Sequence, residues 1–234
     1  MKKLRGVLKI SGDKSISHRA LILSSMTSGR AVIRNLLESE DIKSTIKVLK
    51  LLGIKIFKKS NAWIVIGNGT NGFMQPNRDL NCGNSGTTAR LIIGAVSSNP
   101  ISCNFFGDYS LSKRSMSRVT VYLETLGATF KLHRGKYLPL KVKGSTSLIP
   151  SLIKIKKPSA QIKSALMLSG LNVNGKLSII EKARTRDHTE RLFKYLNIKF
   201  KQKNLKNGSK LIELNGPYEI RSKDIRVASD PSSA

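Results

Sequence analysis

The segments LKLLGIKI (49–56), LETLGATF (123–130) and FKYLNIKF (193–200) are three versions of one motif. In each, a stretch with helical apolar spacing reaches a residue that tolerates a left-handed backbone, and alternating apolar residues follow. That residue is Gly53, Gly127 or Asn197. The motif therefore predicts the end of a helix followed by a strand, and it recurs at a spacing of about 70 to 75 residues.

The sequence on either side of this motif repeats as well. A small polar cluster opens an apolar-periodic helix, and a short strand and a second helix lead to the motif. After the motif, two strands are joined by a polar turn, so each repeat is predicted to be a βαβαββ unit. The polar clusters are GDKS (12–15), GNSGTT (83–88) and PSAQ (158–161), and the short strands are predicted at 31–35, 101–106 and 176–180.

One unit of this length buries too little apolar surface to be stable alone. We therefore expect an α/β (α+β) fold in which three βαβαββ repeats share one core around a pseudo-threefold axis. The predicted repeats cover about residues 12–70, 80–145 and 155–220, inside one complete domain at 12–227.

The two ends of the sequence do not fit this plan. LRGVLKI at 4–10, within residues 1–11, predicts an additional strand before the first repeat. DPSS at 230–233, within residues 228–234, predicts the start of a helix. We therefore expect the chain to continue past Ala234.

Composition narrows the classes of protein. The chain has 234 residues, 39% of them hydrophobic, which excludes disordered and collagen-like proteins. No apolar stretch approaches the roughly 20 residues of a membrane span, and the first residues lack the apolar region of a signal peptide. A cytoplasmic protein with no membrane partner is therefore expected.

The formal net charge of +28 suggests an anionic partner, but the 42 Lys and Arg residues are spread over almost every segment and aromatic residues make up only 6%. We interpret most of the charge as a solvated surface rich in lysine. Binding of small anionic substrates is the second interpretation, and no nucleic-acid partner is expected. Cys82, Cys103 and the three histidines are too scattered for a metal site. Reduced thiols, no metal and no cofactor are therefore expected.

Candidate binding residues stand at the starts of the predicted first helices. Lys14 and Ser15 lie where a loop becomes a helix, so an ammonium group, backbone N–H groups and the helix dipole meet there. One turn later, His18 and Arg19 are expected on or near the exposed side, where Arg19 can bind phosphate or carboxylate. The alternative is that Asp13 or Ser15 simply caps the helix and Lys14 is solvated.

The second repeat offers Gly86 at its helix start, where glycine lets a ligand approach the backbone closely. Downstream, the Ser-rich segment 107–118 contains Lys113, Arg114 and Arg118 and leads into a helix. A loop with so many donors suits covering an anionic ligand, and a solvated basic loop is the alternative.

The third repeat offers Ser159 and Gln161 at a helix start and TRDHTER at 185–191. Neutral donors suit hydroxyl groups and phosphate oxygens. The acidic residues and the histidine of TRDHTER have the chemistry of acid/base groups, although capping of a helix is the commoner explanation. The threefold repeat is expected to bring all three helix starts to one end of the domain.

Six motifs in order resemble the 5-enolpyruvylshikimate-3-phosphate synthases, the enolpyruvyl transferase family of the shikimate pathway. The resemblance spans nearly the whole chain. The motifs are GDKSISHRA (12–20), CGNSGTTARL (82–91), GDYSLSKRSMSR (107–118), PSAQIKSALM (158–167), TRDHTE (185–190) and DPSSA (230–234).

The resemblance implies a two-domain protein with three βαβαββ units in each domain. This chain would then contain one complete domain, one strand of the second domain at its N-terminus and the start of the return to it. The implied reaction transfers the enolpyruvyl group of phosphoenolpyruvate to the 5-hydroxyl of shikimate 3-phosphate and releases phosphate, without metal, on the way to chorismate and the aromatic amino acids. The implied partners are these two anionic substrates, and the full-length protein would be a monomer.

Site residues carry over by motif. Lys14 would contact both substrates. The residues implied to bind shikimate 3-phosphate are Lys14, Ser15, Arg19, Ser159, Gln161 and Arg186, and those implied to bind phosphoenolpyruvate are Lys14, Gly86, Arg114 and Gln161.

The sequence departs from the family in three ways. Ser115 stands where many members have proline, which would loosen the loop, and Asn197 replaces the glycine of the other two repeats. The family's acid/base residues and further phosphoenolpyruvate-binding arginines lie in a half that this sequence does not contain. The 234-residue chain alone is therefore expected to be inactive or nearly so.

Two alternatives remain open. The UDP-N-acetylglucosamine enolpyruvyl transferases share the fold, but they normally have Asn after the first-motif lysine and a reactive cysteine in the covering loop. Here Ser15 follows Lys14, and 107–118 has no cysteine. The other alternative is a basic nucleic-acid-binding domain, which steep loss of DNA binding with salt and indifference to shikimate 3-phosphate would favour.

Overall fold

The computed structural model describes residues 10–230. The strand predicted at 4–10 and the helix start predicted at 230–233 therefore lie outside the described residues, apart from Ile10 and Asp230. No helix in this described part of the chain is long and apolar enough to cross a membrane.

The three predicted repeats are present, each with two main helices and the expected strands. The first contains α1 (Lys14–Ser25), β1 (Ser28–Arg34), α2 (Glu40–Leu51), β2 (Lys55–Lys59) and β3 (Ala62–Asn68). The second contains β4 (Leu80–Asn81), α3 (Gly86–Val96), β5 (Ser102–Phe106), α4 (Tyr109–Ser112), α5 (Ser117–Glu124), β6 (Thr129–His133) and β7 (Tyr137–Lys143). The third contains β8 (Leu152–Ile155), α6 (Ala160–Ser169), β9 (Gly175–Glu181), α7 (His188–Tyr195), β10 (Phe200–Asn204) and β11 (Lys210–Gly216).

A further strand, β12 (Ile225–Arg226), follows the third repeat. Within residues 10–230, the strands form three four-stranded sheets with one topology: β12-β1-β3-β2, β4-β5-β7-β6 and β8-β9-β11-β10. In each sheet the first strand pairs in parallel with the second, and the other pairs are antiparallel. The fold is therefore the expected α/β arrangement of three similar units.

The first sheet takes its leading strand from the far end of the described chain. β12 (Ile225–Arg226) lies beside β1, with Ile33 opposite Ile225. A strand of two residues has no apolar alternation, so the sequence did not predict it. β12 lies outside the predicted third repeat at 155–220, and most of β8 lies before residue 155.

The two helices of each repeat have different environments. The first helices are buried all round: every residue of α1 from Ser17 to Ser25 is buried, and every residue of α6 from Ile162 to Ser169. The second helices α2, α5 and α7 are amphipathic and pack from outside. The apolar stripes predicted for the first helices therefore understate their burial, and polar side chains such as Lys163 lie inside the core.

The left-handed positions that end the second helices are confirmed. Gly53, Gly127 and Asn197 have φ angles of 87°, 104° and 60°. All three repeats therefore use the same stop between helix and strand, and asparagine takes the place of glycine in the third.

The stop at Asn197 gives a first prediction. Asn197→Gly is expected to change the free energy of unfolding by less than about 0.5 kcal/mol, whereas Asn197→Val lowers it by about 1–2 kcal/mol, because a branched side chain strains the left-handed conformation. Urea unfolding of the two variants measures the difference. Equal stabilities would show that the left-handed backbone does not limit this position.

Candidate anion-binding site

The starts of the three first helices lie together, as the repeat predicts. Gln161 at the start of α6 donates its Nε2 to Thr87 Oγ1 at the start of α3, at 2.9 Å. Arg19 of α1 donates its Nη2 to Ser164 Oγ of α6, at 2.8 Å. Side-chain hydrogen bonds therefore join the first two turns of helices that are far apart in the sequence.

Each of these helix starts has a cap. Asp13 accepts from Ile16 N, and Ser85 and Ser159 cap α3 and α6 in the same way. Asp13 is thus the cap of α1, and Ser15 is not. The Ser159 hydroxyl accepts a hydrogen bond as a cap, and because a hydroxyl also donates, it retains a proton to offer a ligand.

Three of the predicted residues meet at the start of α1. The Arg186 Nη1 lies 3.3 Å from Ser15 Oγ, and both Arg186 and Lys14 are exposed. Lys14 Nζ pairs with Asp41 Oδ2 at 3.1 Å. Because this ion pair is partly exposed, it is weak enough for an incoming anion to compete for Lys14.

Arg19 does not lie on the exposed side, as the sequence analysis expected. It is only 4% exposed, since α1 is covered on all sides, and its guanidinium donates to three protein oxygens. The acceptors are Thr189 Oγ1 at 2.8 Å, Ser15 O at 2.9 Å and Ser164 Oγ at 2.8 Å. Burial lowers the pKa of Arg19 to about 10, against the opposing charge of Glu190, so the group is cationic at neutral pH.

His18 is buried too, with 1% exposure, again contrary to the expectation. Its Nδ1 lies 2.7 Å from Thr45 Oγ1, while its Nε2 has no hydrogen-bond partner among the described residues. Burial lowers the pKa of His18 to about 3, although Asp41 opposes the shift. The imidazole is therefore neutral at neutral pH and adds no positive charge to the site.

Gly86 and Arg114 lie next to each other at the start of α3. A Cβ at Gly86 would come 2.7 Å from Arg90 Nη1, so a larger residue would displace that guanidinium group, and it would be in ordinary contact with Arg114 Nη1 at 3.6 Å. Arg114 Nη2 donates to Asn84 Oδ1 at 2.7 Å and to Ser110 Oγ at 3.2 Å. The short helix α4 precedes Arg114, where the sequence predicted only a loop.

Arg90 is a site residue that the sequence analysis missed. Its Nη1 donates to Gln161 Oε1 at 2.9 Å and its Nη2 to Ser115 O at 3.2 Å. Burial lowers its pKa, and the nearby Arg118 and Arg114 add to the shift. The signal was available, because Arg90 follows Gly83 at the same distance as Arg19 follows Gly12.

The segment 107–118 is held by hydrogen bonds at Ser115, the position where many family members have proline. Besides accepting from Arg90, Ser115 pairs its Oγ with Ser117 Oγ at 2.9 Å. Met116 N donates to Lys136 O at 2.8 Å. These bonds offset the freedom that serine adds to the loop.

TRDHTER gives no free carboxylate at the site. Asp187 precedes α7 without capping it, and both of its oxygens accept from Arg191 Nε. Glu190 is buried and pairs with Lys163 at 2.7 Å. Glu190 is an acidic residue in the first turn of α7, as the capping alternative expects, but Asp187 at the cap position makes no side-chain cap hydrogen bond.

The arrangement collects cationic side chains at two helix starts, which is chemistry that suits anions. Lys14 and Arg186 face one helix start, and Arg114 with Arg90 faces another. In the part of the chain that the structure covers, no group of three or more His, Cys, Asp or Glu residues could hold a metal ion. Cys82 and Cys103 are free and buried, and burial raises the pKa of both thiols.

Fold and site together define a domain built of three βαβαββ units that presents cations and helix N-termini on one side. The family model of EPSP synthase (3-phosphoshikimate 1-carboxyvinyltransferase) matches residues 1–234, and the chain belongs to that family.

The most similar curated relatives include a 3-phosphoshikimate 1-carboxyvinyltransferase of Bartonella henselae, 40% identical over 99% of this chain and 52% of that protein. One of Ruegeria sp. is 42% identical over 99% of this chain and 51% of that protein. An EPSP synthase structure from Acinetobacter baumannii superposes with a TM-score of 0.89 at 31% identity, over 97% of this chain and 50% of that one. The chain thus spans about half the length of the relatives it matches.

Proposed function

We propose that this chain is the N-terminal part of an enzyme that transfers the enolpyruvyl group of phosphoenolpyruvate to the 5-hydroxyl of shikimate 3-phosphate, with release of phosphate. The observation that carries the proposal is the pair of adjacent cationic places at the starts of α1 and α3. The reaction joins two multiply charged anions, and fixed cations and helix N-termini offset the repulsion between them.

In this proposal the start of α1 binds shikimate 3-phosphate. Arg186 and Ser15 contact the phosphate, and Ser159 and Gln161 contact the ring from the start of α6. Arg19 is buried and supports this site without touching the ligand, because it holds the Ser15 carbonyl and Ser164 of α6 in place. Its three protein acceptors favour this positioning role over direct contact.

Phosphoenolpyruvate binds beside it at Gly86 and Arg114, and Lys14 lies between the two substrates. Arg90 orients the Gln161 amide by donating to its Oε1, while the Nε2 of the same amide donates to Thr87. These residues bind and orient. No proton-transfer group is assigned to this chain. By resemblance, those groups lie in the half of the full-length family members that this chain does not span.

The same resemblance carries the domain organisation. Residues 1–11 would add a strand to a second domain, 12–227 would form the complete three-repeat domain and 228–234 would begin the crossover. A cytoplasmic monomer in its full-length form agrees with two unpaired buried cysteines, which are typical of reducing compartments.

Calorimetric titration of the chain with shikimate 3-phosphate tests the proposal. We expect saturable binding that weakens with salt, because charge dominates it, and no binding of unphosphorylated shikimate at the same concentrations. Arg186→Ala and Lys14→Ala are each expected to weaken binding by about tenfold or more, since each removes a charge-assisted contact. Turnover with phosphoenolpyruvate is expected to be absent.

Lys55→Ala is the matched control, because Lys55 is exposed on β2, in the first repeat. It removes one positive charge and is expected to leave the affinity unchanged. Binding that all three variants weaken equally would reflect the general charge of the surface and contradict the proposed site. Turnover by the pure chain would contradict the division of roles.

A further inference from the structure

A lysine with two carboxylates lies in the core behind the proposed phosphate site. Lys163 on α6 has no exposed surface, and its Nζ lies 3.0 Å from Glu181 Oε1 and 2.7 Å from Glu190 Oε1. Glu181 is fully buried and Glu190 is 2% exposed. Lys210 Nζ adds a second cation 3.3 Å from Glu190 Oε1, so two positive charges balance two negative ones.

This buried cluster ties three elements of the third repeat together. Lys163 belongs to α6, Glu181 is the last residue of β9, and Glu190 lies in the first turn of α7. The two glutamates therefore stand on either side of the segment 182–187, which contains Arg186. Inside that segment, Thr185 donates its Oγ1 to Glu181 Oε2 at 2.8 Å, so the segment itself is bonded to the cluster.

Packing alone does not support the segment. Its residues 182–184 are exposed, and a cavity of about 350 Å³ adjoins it, lined in part by Arg184, Thr185 and Lys210. Its position between β9 and α7 is therefore set by hydrogen bonds and ion pairs more than by apolar contact. Loss of the Thr185 bond would leave the middle of the segment without this attachment to the core.

The energetics of buried ion pairs agree with a positioning role. Removing charges from water costs about as much as their attraction returns, so such clusters contribute little net stability compared with apolar side chains. They do require a particular geometry, because a buried charge without its partner is strongly unfavourable. Here that geometry places Arg186 next to Ser15.

We propose that Lys163, through Glu181 and Glu190, is a positioning residue that fixes the 182–187 segment so that Arg186 faces the start of α1. This inference rests on the proposed function for the identity of the ligand, a phosphate monoester, and on the structure alone for the fixing of the segment. Glu190 also links the cluster to Arg19, because its neighbour Thr189 accepts from Arg19 Nε. The cluster is thus connected to Arg186, which contacts the phosphate in the proposed function, and to Arg19, which positions Ser15.

Limited digestion with trypsin tests the fixing of the segment without any ligand. The segment offers three cleavage positions, after Lys182, Arg184 and Arg186, and mass spectrometry separates them from a reference cleavage after Lys206 in the β10–β11 turn. Thr185→Val removes only the bond to Glu181, and Lys163→Met removes the central charge. Thr185→Val is expected to raise cleavage of the segment relative to the reference by about fivefold, the effect of one lost hydrogen bond. Lys163→Met is expected to raise it further, because it leaves two buried carboxylates without their central cation.

Thr185→Ser and Lys176→Met are the controls. Serine restores the hydroxyl and is expected to behave like the unaltered chain. Lys176 lies on the same strand as Glu181 and forms a partly exposed ion pair with Glu213 of β11. Lys176→Met breaks that pair and is expected to leave cleavage of the segment unchanged. If Lys163→Met does not fold, the comparison of valine with serine decides. A cleavage ratio equal to that of the unaltered chain in Thr185→Val overturns the inference, and so does an increase shared equally by all sites.

Calorimetry then connects the segment to the ligand. Thr185→Val is expected to weaken binding of shikimate 3-phosphate by about fivefold and Thr185→Ser to leave it unchanged. If the unaltered chain does not bind this ligand, the proposed function fails, while the digestion result still decides whether the cluster fixes the segment. A looser segment with undiminished affinity would overturn the link between Lys163 and the phosphate site.

Discussion

Gly94→Ala is expected to lower the free energy of unfolding by about 3 kcal/mol, the upper range for an overpacked core. Gly94 lies on α3 where that helix crosses α6, and an added Cβ would be 2.5 Å from Ala165 O and 2.6 Å from Ala165 Cα. Both atoms belong to the backbone, so no rotamer change relieves the contact. The two helices must separate, although their starts carry Gly86 and Gln161 of the proposed site.

Urea unfolding followed by circular dichroism measures this effect. Gly135→Ala is the control, because Gly135 has a φ of 66° in the β6–β7 turn and an added Cβ meets nothing within 4 Å. Its cost is therefore conformational only, about 1 kcal/mol. If Gly94→Ala costs no more than Gly135→Ala, the close approach of α3 and α6 does not limit the fold.

Acid is expected to destabilise the domain through His18. The pKa of this buried imidazole is about 3 in the folded chain, against an ordinary value of 6.5. Below pH 6.5 the unfolded chain therefore takes up a proton that the folded chain refuses, so stability is complete above that pH and is lost as the pH falls toward 3. Within this window the free energy of unfolding falls by about 1.4 kcal/mol per pH unit from this group.

Several groups around His18 set the size of the effect. Burial is the main cause of the lowered pKa, Asp41 opposes it, and Arg19 and Lys14 add to it. Burial also lowers the pKa of His188, which contributes in the same direction. The acid sensitivity should therefore be reduced, but not abolished, when His18 is replaced.

Chemical unfolding at pH 4, 5, 6 and 7 measures this slope. His18→Gln offers an amide to Thr45 without titrating, and it is expected to flatten the slope even if it lowers stability at every pH. His133→Gln is the control, because His133 is exposed on β6. A slope that His18→Gln leaves unchanged would assign the acid sensitivity to other groups.

The sequence predicted the repeated elements because each carries a local signal. Gly53, Gly127 and Asn197 mark helix ends by backbone conformation, and the helix starts at Asp13, Ser85 and Ser159 are marked by capping side chains. The strand predicted at 31–35 begins at Ser28 in the structure. The prediction missed this start because the first three residues of the strand are exposed and show no apolar alternation. β12 has no local signal, because two residues show no alternation, and it is recognisable only from its pairing with β1.

At the candidate site, the structure agrees with the exposure expected of Lys14 and contradicts the exposure expected of His18 and Arg19. Lys14 and Ser15 stand at the start of α1, and Arg186, which only the resemblance named, lies next to Ser15. Arg19 and His18 were expected near the surface, since polar residues normally avoid the core. In α1 this rule fails because neighbouring helices cover all of its faces and supply the missing partners, Thr189, Ser164 and Thr45. Partners so distant in sequence are not visible in a local pattern.

The leading strand that β12 supplies to the first sheet makes the order of the repeats circular. During synthesis, the first repeat to emerge is the last to be completed, because β1 pairs through Ile33 with Ile225, which is synthesised near the end of the chain. Loss of residues 224–230 would therefore damage the opposite end of the chain, the repeat that contains Lys14. Ser229 Oγ donates a hydrogen bond to Ile10 O, so a permuted gene that joins residue 229 to residue 10 and opens the chain at Gly135 should encode the same three repeats.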